Sequence, residues 1–118
     1  MICEKSNYWG FELKTILTWS KVTKTGKVHL GVGHYLRNTT EHCYLATKGK
    51  VPSFSHVKTL TNQPTILEAR RREHSRKPEE FYQLVEQLCP TTTKLELFAR
   101  QKRDGWHVWG NEVEKFNT

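Results

Sequence analysis

HSRKPEEFYQLVEQLCPTTTKLELFARQ, residues 74–101, is the stretch whose reading decides the fold. Pro78 has a fixed φ and no N–H to lose, which suits the first position of a helix. Glu79 and Glu80 follow in the first turn, where the helix dipole favours negative charge. Phe81, Leu84, Val85 and Leu88 recur at helical spacing and mark one apolar face. Pro90 stops the helix, three threonines make the link, and residues 95–99 read as a compact apolar strand ending at Arg100. A helix running directly into a buried strand is half of an α/β layer unit. In such sheets ligands bind beyond the carboxyl ends of the strands, and Arg100 stands at such an end.

Toward the N-terminus, Gly10 falls where a helix C-terminus wants a left-handed residue, so residues 1–9 read as the tail of a helix. Residues 15–21, TILTWSK, form a short strand with β-branched and aromatic side chains. Residues 22–33 hold three glycines and two lysines without a sustained period and read as a mobile loop. A turn or short helix around residues 35–38 leads to a strand at 42–47. The loop KGKVPSFSH follows, its Pro52 unsuited to a central strand. Residues 65–69 form a third strand, and RRREHSRK is a basic connector into the helix. Beyond Arg100, residues 101–105 turn and residues 106–110, WHVWG, make the last strand. One good helix among five strands covers too little of a mostly parallel sheet, which buries both faces. The missing cover is expected from residues outside this chain or from a partner.

With 118 residues the chain is read as one domain, 1–118, of an ordinary soluble composition with 36% hydrophobic and 26% charged residues. No apolar run is long enough to span a membrane, and the N-terminus has no signal-peptide pattern, so a cytoplasmic (or, for a viral protein, host-cytoplasmic) setting is expected. Cys3, Cys43 and Cys89 are odd in number and widely separated, which fits a reducing compartment. There is no CxxC, and His34, His42 and Cys43 lack metal-ligand spacing, so no metal is expected. A net charge of +7 and a pI near 9.5 favour a polyanion partner such as DNA or RNA, bound through counterion release. The same balance is also found in soluble proteins that are merely basic. No Ser/His/Asp arrangement, phosphate loop or GxGxxG is present.

ARQKRDGWHVWGNE is the most informative polar cluster. Arg100, Lys102 and Arg103 lie just past one strand, Asn111 and Glu112 just past the next. If the strands are neighbours, five polar groups converge on one rim able to bind a carboxylate or a ribose; otherwise they are a solvated turn. Lys77 precedes Pro78 at a helix N-terminus, an anion or ligand site or else a plain surface lysine. Trp106 and Trp109 have opposite parity on a strand, so they cannot both face one core. GHYLRNTTEHC places Tyr35, Arg37 and Glu41 near one another, and a Glu beside aromatics can accept from an exocyclic amine. The alternative is an ordinary loop before a strand.

SRKPEEFYQLVEQL, KLELFAR and GWHVWGNEV together resemble the C-terminal half of the adenine-N(6) methyltransferases related to the catalytic subunit of the eukaryotic mRNA adenosine methyltransferase, bacterial and phage members above all. GHYLRNTTEHC is similar to that family's GHW-L-N…EHC segment, with Tyr35 in place of Trp. The resemblance implies a Rossmann-like α/β fold with S-adenosylmethionine as cofactor. It also implies methyl transfer to the 6-amino group of adenine, in DNA ahead of RNA. Lys77, Arg100, Lys102, Arg103, Asn111 and Glu112 match cofactor-binding positions, though eukaryotic relatives carry His and Asn at 102 and 103, and some members Gln at 112. Tyr35, Arg37 and Glu41, with Lys24 and Lys27 in the basic loop at 21–27, are the implied substrate contacts. The family also carries an Asp-Pro-Pro-Trp motif upstream; here Pro52, Pro64, Pro78 and Pro90 are the prolines, with no adjacent pair. By that resemblance the chain reads as the C-terminal portion of an incomplete methyltransferase domain, without a catalytic residue of its own and inactive alone, the missing part expected either from a longer form of the chain or from a second chain. A non-catalytic nucleic-acid-binding or partner subunit derived from such an enzyme is the alternative.

Overall fold

Strand β1, Glu12–Val22, is the spine of a three-stranded sheet. β2 (Thr40–Thr47) lies antiparallel along one edge, with Leu17 opposite Cys43 and Trp19 opposite Glu41. β3 (Ile66–Arg70) lies parallel along the other, with Thr18 opposite Ile66 and Val22 opposite Arg70. This computed structural model describes residues 9–49 and 62–117, which fall into two units, Met1–Leu88 and Cys89–Thr118. Gly10 is left-handed at φ 83°, a conformation glycine adopts without steric cost. The helix tail expected at 1–9 and the Pro52 loop lie largely outside the described residues.

The heart of the first unit is small. Among the described residues Trp19, Ala69 and Pro78 are its buried apolar residues, and the Trp19 indole Nε1 donates to the Ala69 carbonyl at 2.9 Å, tying β1 to β3 through side chain as well as backbone. Helix α1 (Glu79–Leu88) follows the expected pattern, with both glutamates in its first turn. Its stripe of Phe81, Leu84, Val85 and Leu88 lines an apolar groove of about 330 Å³ with Leu17 and Leu45 of the sheet. No helix residue is fully buried, so the stripe is only half covered.

The segment expected to be a mobile loop is largely structured. Val22 bridges Val28, Thr23 N–H donates to Lys27 O at 2.8 Å, and Gly26 N–H donates to Thr23 O at 3.0 Å. Gly26 supplies the φ of 81° that closes this hairpin, a conformation without the usual steric cost only for glycine. Residues 29–38 then fold back without a helix. The Arg37 guanidinium donates to the carbonyls of Gly31 and Leu30 at 3.0 and 3.1 Å. A Cβ on Gly33 would lie 1.9 Å from the Leu36 carbonyl oxygen, so only glycine allows the chain to pass there.

In the second unit β4 (Lys94–Leu97) and β5 (Trp106–Trp109) pair in parallel, with Leu97 opposite Trp109. β4 stops at Leu97, two residues before the expected end, because Phe98 turns to a left-handed φ of 58°. Ala99 is buried beneath it and its N–H donates to the Trp109 carbonyl at 3.1 Å. The parity argument holds: Trp106 is partly buried while Trp109 is 59% exposed, edge-on to Phe98 at 5.5 Å. The chain is thus mixed α/β, with its elements in the order read from the sequence.

Candidate functional site

Trp19 and Lys21 are two residues apart on β1 and so share a face; Glu41 stands opposite Trp19 on β2 and joins them. Lys21 Nζ lies 3.3 Å from Glu41 Oε2 and 5.0 Å above the Trp19 ring. The other carboxylate oxygen is in direct contact with Lys77 Nζ. Lys77 reaches it from the connector, where Ser75 adopts a φ of 59° and accepts from the ammonium through its carbonyl at 3.2 Å. Pro78, buried, fixes the next residue at the start of α1.

The electrostatics of this cluster are decided by competition. Burial pushes the Glu41 carboxyl up, but the hydrogen bond and charge of Lys77, joined by those of Lys21, outweigh it and hold the group below its ordinary range. Glu41 is therefore an ionised acceptor at neutral pH. Nearby Cys43 goes the other way, its thiol pushed up chiefly by burial, which leaves it a small apolar residue and not a nucleophile.

A cleft of about 510 Å³ opens over this cluster, walled by Trp19, Lys21, Arg37, Glu41, Arg71 and Arg76 among others. Of the substrate residues read from the sequence, Glu41 and Arg37 line it. Arg37 spends its guanidinium on the Leu30 and Gly31 carbonyls, so it shapes the loop. Tyr35 is 99% exposed on the crown of that loop. Lys24 and Lys27 are exposed at the hairpin tip. Sequence reading counted Lys21 only as one charge of a basic loop and gave Trp19 and Arg71 no role; the alternation of β1 around Trp19 was the available signal.

The second unit carries the other candidate group. Because β4 and β5 are parallel neighbours, Arg100, Lys102, Arg103, Asn111 and Glu112 all follow the carboxyl ends of one strand pair, as expected. A Cβ on Gly110 would lie 3.0 Å from Phe98 Cα, so glycine lets the two exits run close together. The Arg100 guanidinium lies 4.9 Å over the Phe116 ring, and its carbonyl accepts from Phe116 N–H at 2.8 Å. Lys102 pairs with Glu114 at 2.5 Å, Glu112 with Lys115 at 3.1 Å, and Asn111 is exposed. The Lys102 hydrogen bond, aided by Asn117, holds the Glu114 carboxyl below its ordinary value. These are exposed pairs, which a ligand displaces at little cost. Lys77 belongs to the first unit and this rim to the second.

Chemically, the rim offers guanidinium and ammonium donors, an amide that does both jobs, and a carboxylate that accepts from hydroxyls, a set that fits a nucleoside ribose and an amino-acid carboxylate. Among the described residues no group of three His, Cys, Asp or Glu could hold a metal ion, and no helix is long and apolar enough to cross a membrane.

The chain is 34% identical over 113 residues to the probable N(6)-adenosine-methyltransferase MT-A70-like of Oryza sativa subsp. japonica, covering 89% of this chain and 15% of that protein. It is 35% identical over 106 residues to the type II methyltransferase M.MunI of a Mycoplasma species, covering 89% of this chain and 42% of that protein. It is 32% identical over 116 residues to the human N(6)-adenosine-methyltransferase catalytic subunit METTL3, covering 92% and 19%. The chain thus spans less than half the length of these relatives. The MT-A70 family model matches residues 3–112, from before β1 to the Asn111–Glu112 rim, and the chain belongs to the MT-A70 family.

Proposed function

We propose that this chain is the cofactor- and substrate-binding portion of a Rossmann-like, S-adenosylmethionine-dependent methyltransferase acting on the 6-amino group of adenine in nucleic acid. DNA is the favoured substrate, in keeping with the type II methyltransferase among its relatives. The observation that carries this reading is Glu41, ionised between Lys21 and Lys77 at the floor of a basic cleft. A carboxylate fixed in this way accepts an N–H of the adenine 6-amino group and aims its lone pair outward. Lys77, oriented by Glu41 and the Ser75 carbonyl, contacts the cofactor. Arg100, Lys102, Arg103, Asn111 and Glu112 hold its ribose and adenine through the donor set described above. The cofactor supplies an electrophilic methyl group on a sulfonium. Tyr35, Lys24 and Lys27 meet the nucleic acid.

The sequence has no Asp-Pro-Pro-Trp and no adjacent pair of prolines, so these 118 residues alone bind but do not transfer, and the acceptor loop comes from residues outside them, on a longer form of the chain or on a second chain. Calorimetric titration with S-adenosylmethionine tests the cofactor assignment: measurable binding that Arg100→Ala abolishes supports it, and no binding refutes it. Methylation of an adenine oligonucleotide by the purified chain would show the inactivity part to be wrong.

A second reading, a non-catalytic nucleic-acid-binding subunit, is favoured by the exposed lysines of the hairpin. Titrating a labelled duplex at several salt concentrations, with and without cofactor, separates the two. Cofactor binding plus a steep salt slope fits the enzyme reading; a salt slope alone fits the second.

A further inference from the structure

The parallel register of β1 and β3 brings together cations that the cleft chemistry does not use. Val22 is opposite Arg70, and the same Val22 bridges Val28 at the neck of the hairpin. Lys24 and Lys27 at the hairpin tip, and Arg70 and Arg71 leaving β3, therefore lie at one end of the sheet, and all four are exposed. Three carboxylates of the adjoining segments are already engaged, while Glu68 and Glu80 leave the four cations in excess. Glu41 is held by Lys21 and Lys77, Glu73 pairs with Arg76 at 2.8 Å, and Glu79 with Arg72 at 3.4 Å. None of the ion pairs among the described residues engages Lys24, Lys27, Arg70 or Arg71.

Concentrated like charge in excess of its counter-charges raises the free energy of the protein by self-repulsion, and a polyanion relieves it. The shape of the surface narrows the kind of polyanion. Arg71 also lines the cleft of about 510 Å³, together with Leu30 and Arg37 of the loop after the hairpin. A strand of nucleic acid can run over the exposed cations and turn a base into this concave mouth; a flat anionic bilayer cannot follow it. Arginine also suits phosphate, because its planar fork meets two oxygens at once.

We propose that the phosphodiester backbone of the bound nucleic acid tracks across the carboxyl end of the β1/β3 pair, over Lys24, Lys27, Arg70 and Arg71, at the entrance to the Glu41 cleft. The identity of the base that enters rests on the adenine reading above, whereas the backbone track is tested separately. Neither arginine was assigned to substrate from the sequence, where both appeared only as part of a basic connector.

The test is fluorescence anisotropy of labelled single-stranded adenine-containing and abasic oligonucleotides with the full 118-residue chain, from low to moderate salt. Each phosphate contact contributes about 0.7 to the slope of log affinity against log salt for a single strand. Arg70→Gln with Arg71→Gln is expected to flatten the slope by about 1.4 on that basis, and Lys24→Gln with Lys27→Gln similarly. Arg71→Lys keeps the charge and should keep the slope. Lys14→Gln and Lys48→Gln, at the other end of β1 and β2, should leave it unchanged. Equal flattening by the Lys14 and Lys48 variants, or none by the arginine variants, overturns the proposal. Binding to phosphatidylserine vesicles without oligonucleotide binding overturns it in favour of a membrane surface. A slope that falls as expected with no preference for adenine over abasic strand upholds the backbone track while refuting the adenine reading. These variants alter exposed side chains, and an unchanged thermal melt shows that they fold.

Discussion

The two candidate groups are built on different principles. The Glu41 cluster is assembled by register across three strands and a helix start, with its side chains half-buried, Lys21 lying over a buried indole and Lys77 held by the Ser75 carbonyl. The Arg100–Glu112 rim is assembled by proximity in the chain, from two strand exits and a turn, with its ion pairs in water. A register-built site is rigid and fails with its sheet; a rim of exposed pairs tolerates loss of single members.

The largest break in this contrast is expected at Trp19. Trp19→Ala removes the largest buried side chain among the described residues of the first unit and its hydrogen bond to Ala69, a change of about 3–5 kcal/mol by the usual scale for buried aromatics. Urea unfolding should show this unit lost or nearly so, with the Glu41 cluster abolished. Gly110→Ala is the corresponding strike at the second unit. Its Cβ would press on Phe98 Cα at 3.0 Å with φ at +152°, which should cost about 1–3 kcal/mol of local strain. Limited proteolysis should then cut the 98–110 region sooner while leaving residues 12–47 protected.

Next comes the acid response of Glu41. Its carboxyl is held below its ordinary value in the folded protein, so the group contributes stability above the unfolded value, near 4.3 for glutamate. That contribution is lost as pH falls through the lower, folded value. Wild type should therefore out-melt Glu41→Gln by a constant margin from neutral pH to about pH 5, and the margin should shrink below that. A margin that grows on acidification would contradict the pairing with Lys77 and Lys21. The smallest effect is expected at the rim. Lys102→Ala should leave the melting temperature unchanged, since its partner Glu114 is fully exposed, yet weaken S-adenosylmethionine binding severalfold by calorimetry.

The same division governs how much could be read from sequence. Helix α1 was legible because Pro78, Glu79, Glu80 and the 81/84/85/88 stripe all signal one conformation. The rim was legible because β4 and β5 are separated by a short turn, so adjacency in sequence became adjacency in space. The early end of β4 was not, because Phe98 is left-handed without being glycine or asparagine, and local preference argues against that. The role of Lys21 was hidden for another reason: its partner is 20 residues away, and cross-strand register is not written in either segment alone. The hairpin at 22–28 was misread as mobile because its valines are too few to show a period, while the Gly26 turn that closes it looks like any loop glycine.

The indole beneath Lys21 gives the protein an intrinsic optical sensor. Trp19 is buried, while Trp9 and Trp109 are 63% and 59% exposed. Iodide should therefore quench Trp9 and Trp109 most and Trp19 least, with half-buried Trp106 between them, so the emission left at high iodide is enriched in the blue-shifted Trp19 signal. Any molecule that draws the Lys21 ammonium from its place 5.0 Å above the ring changes the field on that chromophore. Occupancy of the cleft could thus be followed by colour, with no label attached.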